Sequence, residues 1–424
     1  MAVPKQMSTF IALSILIVAV KTIEPTCKHT GEDKKQLVCT SGTGNYILIK
    51  GLVSDSNTTT EITLRACRII DIEYESFKNL PSVWYIDISR NKLHRLKRGV
   101  LDEATSLTFL NMSYNGLSSI PLGLFDFVTK IEYLDLKGNH LNFLEIGTFD
   151  KLKKLKFLDL SSNGILGKDL NPYLLDENRH IYYIDFSRND MTGTPTSLLN
   201  SFQELDMINL DRCSLTEVPE FATLPFDLKS MKHLMISTNL INKIDNAATF
   251  VNSDNLEILN LAENIIEYVN ENVLKPLKKL KMIVLRNNKL KHIPDILFIN
   301  IRFLEHVDLG SNALKFLAND TFRGTSLKIL YLSSNKFTYL QRNFCTNIRD
   351  SGGRLTEFYF QQNPWQCACL HDLLKEVKSL NIKYSSIKYT GEEPVCVTTN
   401  EFHCKRQDTF NAIYIDMYEN MIRN

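Results

Sequence analysis

The sequence predicts an α/β fold: a right-handed solenoid of about 13 turns, with a curved parallel β-sheet on its concave face and disulfide-stabilised caps at its ends. Three observations lead there. One frame, apolar-x-x-apolar-x-apolar-x-x-Asn-x-apolar, recurs thirteen times between Thr59 and Trp365. Its ninth position falls at Cys67, Asn91, Asn115, Asn139, Asn163, Asn189, Cys213, Asn239, Asn264, Asn288, Asn312, Asn335 and Asn363, at intervals of 23 to 28 residues. Eleven of these thirteen slots hold Asn, so one polar side chain is kept at a fixed place in an otherwise apolar frame. A fixed period of this length means one structural unit per repeat, and no single unit can bury its own apolar face.

Each part of the frame has a physical reason. Apolar residues at positions 1, 4, 6 and 11 point inward from a short strand and the turn after it, and each strand lies parallel to the next. The Asn amide both donates and accepts, which answers the backbone groups left where the chain leaves the strand. Cys, small and tolerant of burial, fits the same slot. Phe77, Phe125, Phe149, Phe298 and Phe322 each fall nineteenth in their repeat and predict an aromatic spine on the convex side. Pro121, Pro195, Pro219 and Pro294 fall fifteenth, off the strand, where a missing N–H breaks no ladder.

Residues 1–22 read as a signal peptide: Lys5 precedes the apolar run Phe10 to Val20, which at eleven residues is shorter than the roughly 20 needed to span a bilayer. Residues 23–58 read as an N-terminal cap, 59–362 as the repeats, 363–404 as a C-terminal cysteine-rich cap and 405–424 as a short helical tail. In the tail, Phe410, Ile413, Tyr414, Met417 and Met421 share one helical face, to dock on the cap or to form a dimer seam. No membrane span is expected, and the chain reads as secreted.

The repeats, together with Asn363, Pro364, Trp365, Cys367 and Cys369 and the later Cys396 and Cys404, resemble secreted leucine-rich-repeat proteins of the typical type, with their C-terminal cysteine-rich cap. The resemblance runs from Thr59 to Cys404. Among such proteins the plan is similar to that of secreted insect members, the leureptin-like haemolymph proteins and the mosquito leucine-rich-repeat immune proteins, though the long coiled coil of the latter is absent. The resemblance implies cap disulfides Cys367 to Cys396 and Cys369 to Cys404. Cys27 and Cys39, ahead of the first strand, read as a reduced N-terminal cap with one bridge, without the family's fuller four-Cys version. The resemblance also implies a non-catalytic recognition protein that binds an extracellular protein, in innate immunity or cell-surface adhesion.

Three cysteines remain. Cys67 and Cys213 sit in ladder slots six strand steps apart, near 29 Å, and a disulfide needs Cα atoms within about 7 Å. They read as buried thiols, with a bridge from Cys67 to the N-terminal cap as the alternative. Cys345 lies in the longest interval between ladder slots, near Asp350 to Gly353. Two readings stay open for it, an inert buried thiol or a disulfide to a partner chain. Asn57, Asn111 and Asn319 open glycosylation sequons, and Asn111 alone falls on the strand face.

The concave face carries the candidate site. Third positions read Tyr85, Phe109, Tyr133, Phe157 and Tyr183 in five successive repeats, a stripe of roughly 20 Å. Fifth positions beside it include Asp87, Asp135, Asp159 and Asp185. Such a row fits a protein-binding surface, since Tyr and Phe supply contact area at modest entropic cost; the competing reading is that these are simply good strand residues. A second reading places a lipopolysaccharide-like microbial glycolipid or a glycan on lysine-rich rims, Lys153 and Lys154 with Lys278 and Lys279. A third is a matrix or enzyme-subunit scaffold. With 49 basic against 48 acidic residues, nucleic acid is not expected. No motif supports catalysis, a cofactor or a metal.

Overall fold

The computed structural model describes residues 24–224, 228–385, 395–399 and 402–423; the expected signal peptide lies outside them. The frame becomes thirteen three-residue strands, from Glu61–Thr63 to Glu357–Tyr359, paired parallel with each repeat against the next. Two N-terminal strands complete a 15-stranded sheet. Thr26–Thr30 pairs antiparallel with Gln36–Thr40, which runs parallel to Glu61–Thr63. At the other end, Phe358 N–H donates to Lys383 O at 2.8 Å and Lys383 N–H to Thr356 O at 2.8 Å, so the last strand has its outer backbone groups occupied. Register is strict: Tyr133 is paired with Phe109 on one side and Phe157 on the other, and Asp135 with Asn111 and Asp159.

The Asn slots do what their chemistry allows. Asn139 Nδ2 donates to Leu136 O of its own turn at 2.8 Å and to Met112 O of the preceding turn at 3.1 Å, while its Oδ1 accepts from Leu117 N–H at 3.1 Å. The same three bonds recur at Asn264, Asn288 and Asn312, and the side chains are buried. Cys213 keeps the link between turns, Sγ to Phe186 O at 3.3 Å, with a longer bond in its own turn to Asp211 O at 3.6 Å; Met191 N–H, which an Asn would have served, bonds to Cys213 O at 3.1 Å instead. The residue before the slot takes positive φ in turn after turn, 52° at Tyr114 and 60° at Arg188, because the chain must turn off the strand there. Phe125 stacks on Phe149 at 6.4 Å and Phe298 on Phe322 at 5.5 Å, all buried on the convex side.

Among the described residues four α-helices lie off the sheet: α1 (Glu220–Thr223), α2 (Phe344–Asp350), α3 (Cys367–Ser379) and α4 (Asn411–Arg423). Disulfides join Cys27 to Cys39, Cys367 to Cys396 and Cys369 to Cys404. Cys67 is a free, fully buried thiol hydrogen-bonded to Cys39 O, which sets aside its bridge to the N-terminal cap. Burial pushes its thiol up to about 11 and that of Cys213 to about 12.

The tail does dock, on a rotated face. Asn411, Tyr414, Ile415 and Tyr418 are buried, whereas Ile413 and Met421, expected inside, are 53% and 43% exposed. Polar anchors set that rotation: Thr338 bonds Asn411, Tyr339 Oη donates to Asp408 Oδ1 at 2.9 Å, and Lys336 pairs with Glu419 at 2.6 Å.

Replacing Asn139 by Ala leaves the buried Leu117 N–H without its partner and removes one of two amide donors from Met112 O and Leu136 O, which keep those of Asn115 and Asn163. An orphaned buried group costs about 1–3 kcal/mol and each lost hydrogen bond about 0.5–1.5 kcal/mol, so the variant should lose roughly 2–6 kcal/mol of unfolding free energy, read from urea denaturation. An unchanged midpoint would show that the amide ladder contributes little.

Candidate functional site

Strict register turns the third-position row into a column of stacked rings. Tyr85, Phe109, Tyr133, Phe157 and Tyr183 follow one another at centroid spacings of 4.4, 4.1, 4.2 and 4.5 Å, with interplanar angles of 2 to 15°. The spacings fall below the roughly 4.8 Å between strands because the sheet curves inward and side chains on its concave face converge. Each inner ring is covered on both faces by its neighbours, and all five side chains are half-buried. The stripe of freely exposed aromatics expected from the sequence is corrected in this respect.

The fifth-position carboxylates differ more from expectation. Asp87, Asp135, Asp159 and Asp185 are buried, not open on the face. Each accepts, on Oδ1, the backbone N–H two residues on: Ser89, Lys137, Ser161 and Ser187, at 2.7 to 2.9 Å. Asn111 and Asn209 make the same bond in their repeats, so this row first of all fastens the turn after each strand. The rings close over it, and Tyr183 Oη donates to Asp185 Oδ2 at 3.1 Å. Burial, with Asp159 nearby, raises the Asp135 carboxyl to about 6. Asp159 is raised too, by burial first and then by Asp185, and burial lifts the Tyr133 hydroxyl to about 12.

What stands exposed around this floor was not singled out from sequence. Trp84 (42%) meets Tyr85 edge-on at 5.7 Å, Tyr182 (47%) opens the strand at the far end of the column, and Tyr114 (43%) lies under the Arg90 guanidinium at 4.7 Å. Trp84 and Tyr182 hold the second place in their repeats and Tyr114 the eighth, so these aromatics flank the column on both sides. A second stack, His306 on Tyr331 at 5.4 Å and Tyr331 on Tyr359 at 4.5 Å, closes the other end of the concave face. It escapes a third-position search because its tyrosines sit fifth. Between the two stacks Met207, Met235, Ile258, Met282 and Val284 form a half-buried apolar stretch.

Several charges along this face are paired. At the second position Lys156 meets Glu132 at 2.8 Å, Lys232 meets Asp206 at 2.6 Å, Lys281 meets Glu257 at 2.6 Å and Lys328 meets Glu305 at 2.7 Å. Lys153 pairs with Glu177 at 2.9 Å, and Lys154 is exposed. Lys278 and Lys279, at the same places in their repeat as Lys153 and Lys154, are exposed. Asn57 and Asn319 are exposed; Asn111 is half-buried within the aspartate row, its Oδ1 held by Ser113 N–H and Oγ. Cys345 lies on α2, 1% exposed, and burial holds its thiol well above the ordinary range. A thiol so enclosed and so hard to ionise is poorly placed to bond a partner chain, which corrects that reading in favour of the inert one. No cluster of three or more His, Cys, Asp or Glu able to hold a metal occurs among the described residues, and no helix among them is long and apolar enough to cross a membrane.

The comparisons with known proteins agree on class. The leucine-rich-repeat family model matches residues 57–117, 113–165, 229–290 and 278–337, together just over half of the sequence, and the chain belongs to that family. Human Toll-like receptor 1 is 24% identical over 201 residues, 47% of this chain and 24% of the receptor. Human oligodendrocyte-myelin glycoprotein is 28% identical over 205 residues, 47% of this chain and 42% of the glycoprotein. The chain thus spans a quarter to under half of these relatives. Among solved structures, a leucine-rich-repeat protein of Leptospira interrogans superposes with a TM-score of 0.61 at 18% identity, covering 79% of this chain and 93% of that one. The LRIM1/APL1C complex gives 0.59 at 19% identity, covering 81% of this chain and 60% of that one. At these identities the structures establish the shared solenoid.

The Asp135 shift has a stability consequence. Its folded value, about 6, lies above the ordinary 3.8, so its contribution to stability is full below pH 3.8 and is lost as pH rises through 6. Asp135→Asn keeps the Lys137 bond, as Asn111 and Asn209 do in their turns, and removes the charge. The variant should be more stable than the parent at pH 7 by on the order of 2 kcal/mol, and indistinguishable from it near pH 4. Equal denaturation midpoints at both pH values would contradict the burial of this carboxylate.

Proposed function

We propose that the protein is a secreted, non-catalytic recognition protein that binds an extracellular protein partner through the aromatic half of its concave face. The observation that carries this reading is the joining of a rigid half-buried ring column to exposed Trp84, Tyr114 and Tyr182 on one open surface. Trp, Tyr and Arg dominate the energetics of protein interfaces, and rings already held in place lose little freedom on binding. Three disulfides support an oxidising compartment. Relatives named as receptors, and complexes named LRIM1/APL1C and Toll–Spätzle, support recognition of a protein and a role in innate immunity. The paired charges weigh against a steered polyanion on this face, and Lys153, a proposed glycolipid contact, is already engaged by Glu177.

With the partner captured from native extracellular fluid, the double variant Trp84→Ala, Tyr182→Ala should weaken binding by at least about tenfold while leaving the denaturation midpoint unchanged. Lys153→Glu with Lys154→Glu should leave affinity unaltered, and raising salt from about 0.05 to 0.5 M should change it less than about threefold. Steep salt dependence, with indifference to the aromatic pair, would favour the lysine-rim reading instead.

A further inference from the structure

On the convex side, three successive repeats border an open cavity of about 360 Å³, within the roughly 300–1,000 Å³ common for small-molecule sites. Its accessible apolar lining is the exposed Ile296 and half-buried Ile299, which lie over the buried Leu277, Leu297 and Ile301. Lys275, Ile299 and Arg323 each fall twentieth in their repeat, so two exposed cations flank a half-buried isoleucine, and Lys278 adds a third cation to the lining. Glu271 alone among the lining residues is acidic, and Arg323 is only loosely paired, at 3.7 Å, with Asp320. Two other depressions have a different character. One is lined by Asp55, Asp102 and Glu103, and the other by Glu217, Glu220 and Asp245, where the single lysine is tied to Asp245.

We propose that this cavity binds a single-chain lipid phosphate, its alkyl chain on Ile296 and Ile299 and its head group held by Lys275, Lys278 and Arg323. The charge of the lining selects an anion, and three cations against one carboxylate match a phosphate better than a neutral head. The aliphatic floor selects an alkyl chain, since covering it removes apolar surface from water, at about 25 cal/mol per Å². Neither half is sufficient alone: exposed lysines hold free phosphate weakly in water, and a shallow floor holds an uncharged chain weakly. The site lies on the face opposite the rings and does not depend on the protein-binding reading.

The test is calorimetric titration of the full chain with dodecyl phosphate below its micellar concentration, with dodecanol and inorganic phosphate as separate probes. The expected result is saturable binding of dodecyl phosphate, and at least about tenfold weaker binding of the other two. Lys275→Glu with Arg323→Glu should weaken dodecyl phosphate binding by at least about tenfold, and Ile299→Asp should do the same. Trp84→Ala should not change it. These side chains are exposed or half-exposed, so circular dichroism should confirm that the variants fold. Absence of binding by the parent chain, equal binding by the charge-reversed variant, or equal affinity for inorganic phosphate would each overturn the proposal.

Discussion

Everything in this molecule depends on how one turn is tied to the next by a buried amide. An Asn that donates to carbonyls of two consecutive turns, and accepts an N–H from the earlier one, makes each turn's geometry a condition of its neighbour's. Stacking then buries a continuous apolar core that no turn could bury alone. Where Cys replaces Asn the link between turns survives, through Cys67 Sγ to Cys39 O and Cys213 Sγ to Phe186 O. The slot therefore tolerates a donor without an acceptor, provided the backbone supplies the missing bond.

Register is the second consequence, and the functional surface follows from it. Because thirteen strands pair without slippage, chemically alike residues at one place in the repeat become a column in space. Rings at 4.1 to 4.5 Å share their faces, which makes the column rigid and lets it shield the aspartate row. That row carries two duties at once. It closes the turn after each strand, and it holds negative charge at a cost that burial makes visible in the raised Asp135 and Asp159 carboxyls. The free aromatic surface is thereby moved outward, to Trp84, Tyr114 and Tyr182.

The fold was legible because the frame repeats: thirteen copies of one pattern leave few alternatives, and the ladder residues, the spine phenylalanines and the strand positions lie where periodicity puts them. The site was half legible. Position in the frame says which way a side chain leaves the strand, and so the ring column could be named; it does not say how far that side chain leans. Whether Asp135 meets solvent depends on the rings closing over it. The residues flanking the column are single occurrences, not a repeat, and Tyr331 with Tyr359 lies in a different row from the first stack. For the tail, the apolar spacing of Ile413 and Met421 was outweighed by polar anchors at Asn411 and Glu419, whose partners Thr338 and Lys336 are some 70 to 80 residues earlier in the chain.

The central claim is that the concave aromatic face is the one occupied by a protein. Hydroxyl-radical footprinting of the chain, alone and in complex with the partner captured from native extracellular fluid, addresses it directly. The account predicts protection of Trp84, Tyr114 and Tyr182, with unchanged labelling of the exposed Tyr173 and Phe143, which lie away from the strands. Protection of Tyr173 and Phe143, with the three concave aromatics labelled as in the free chain, would contradict it.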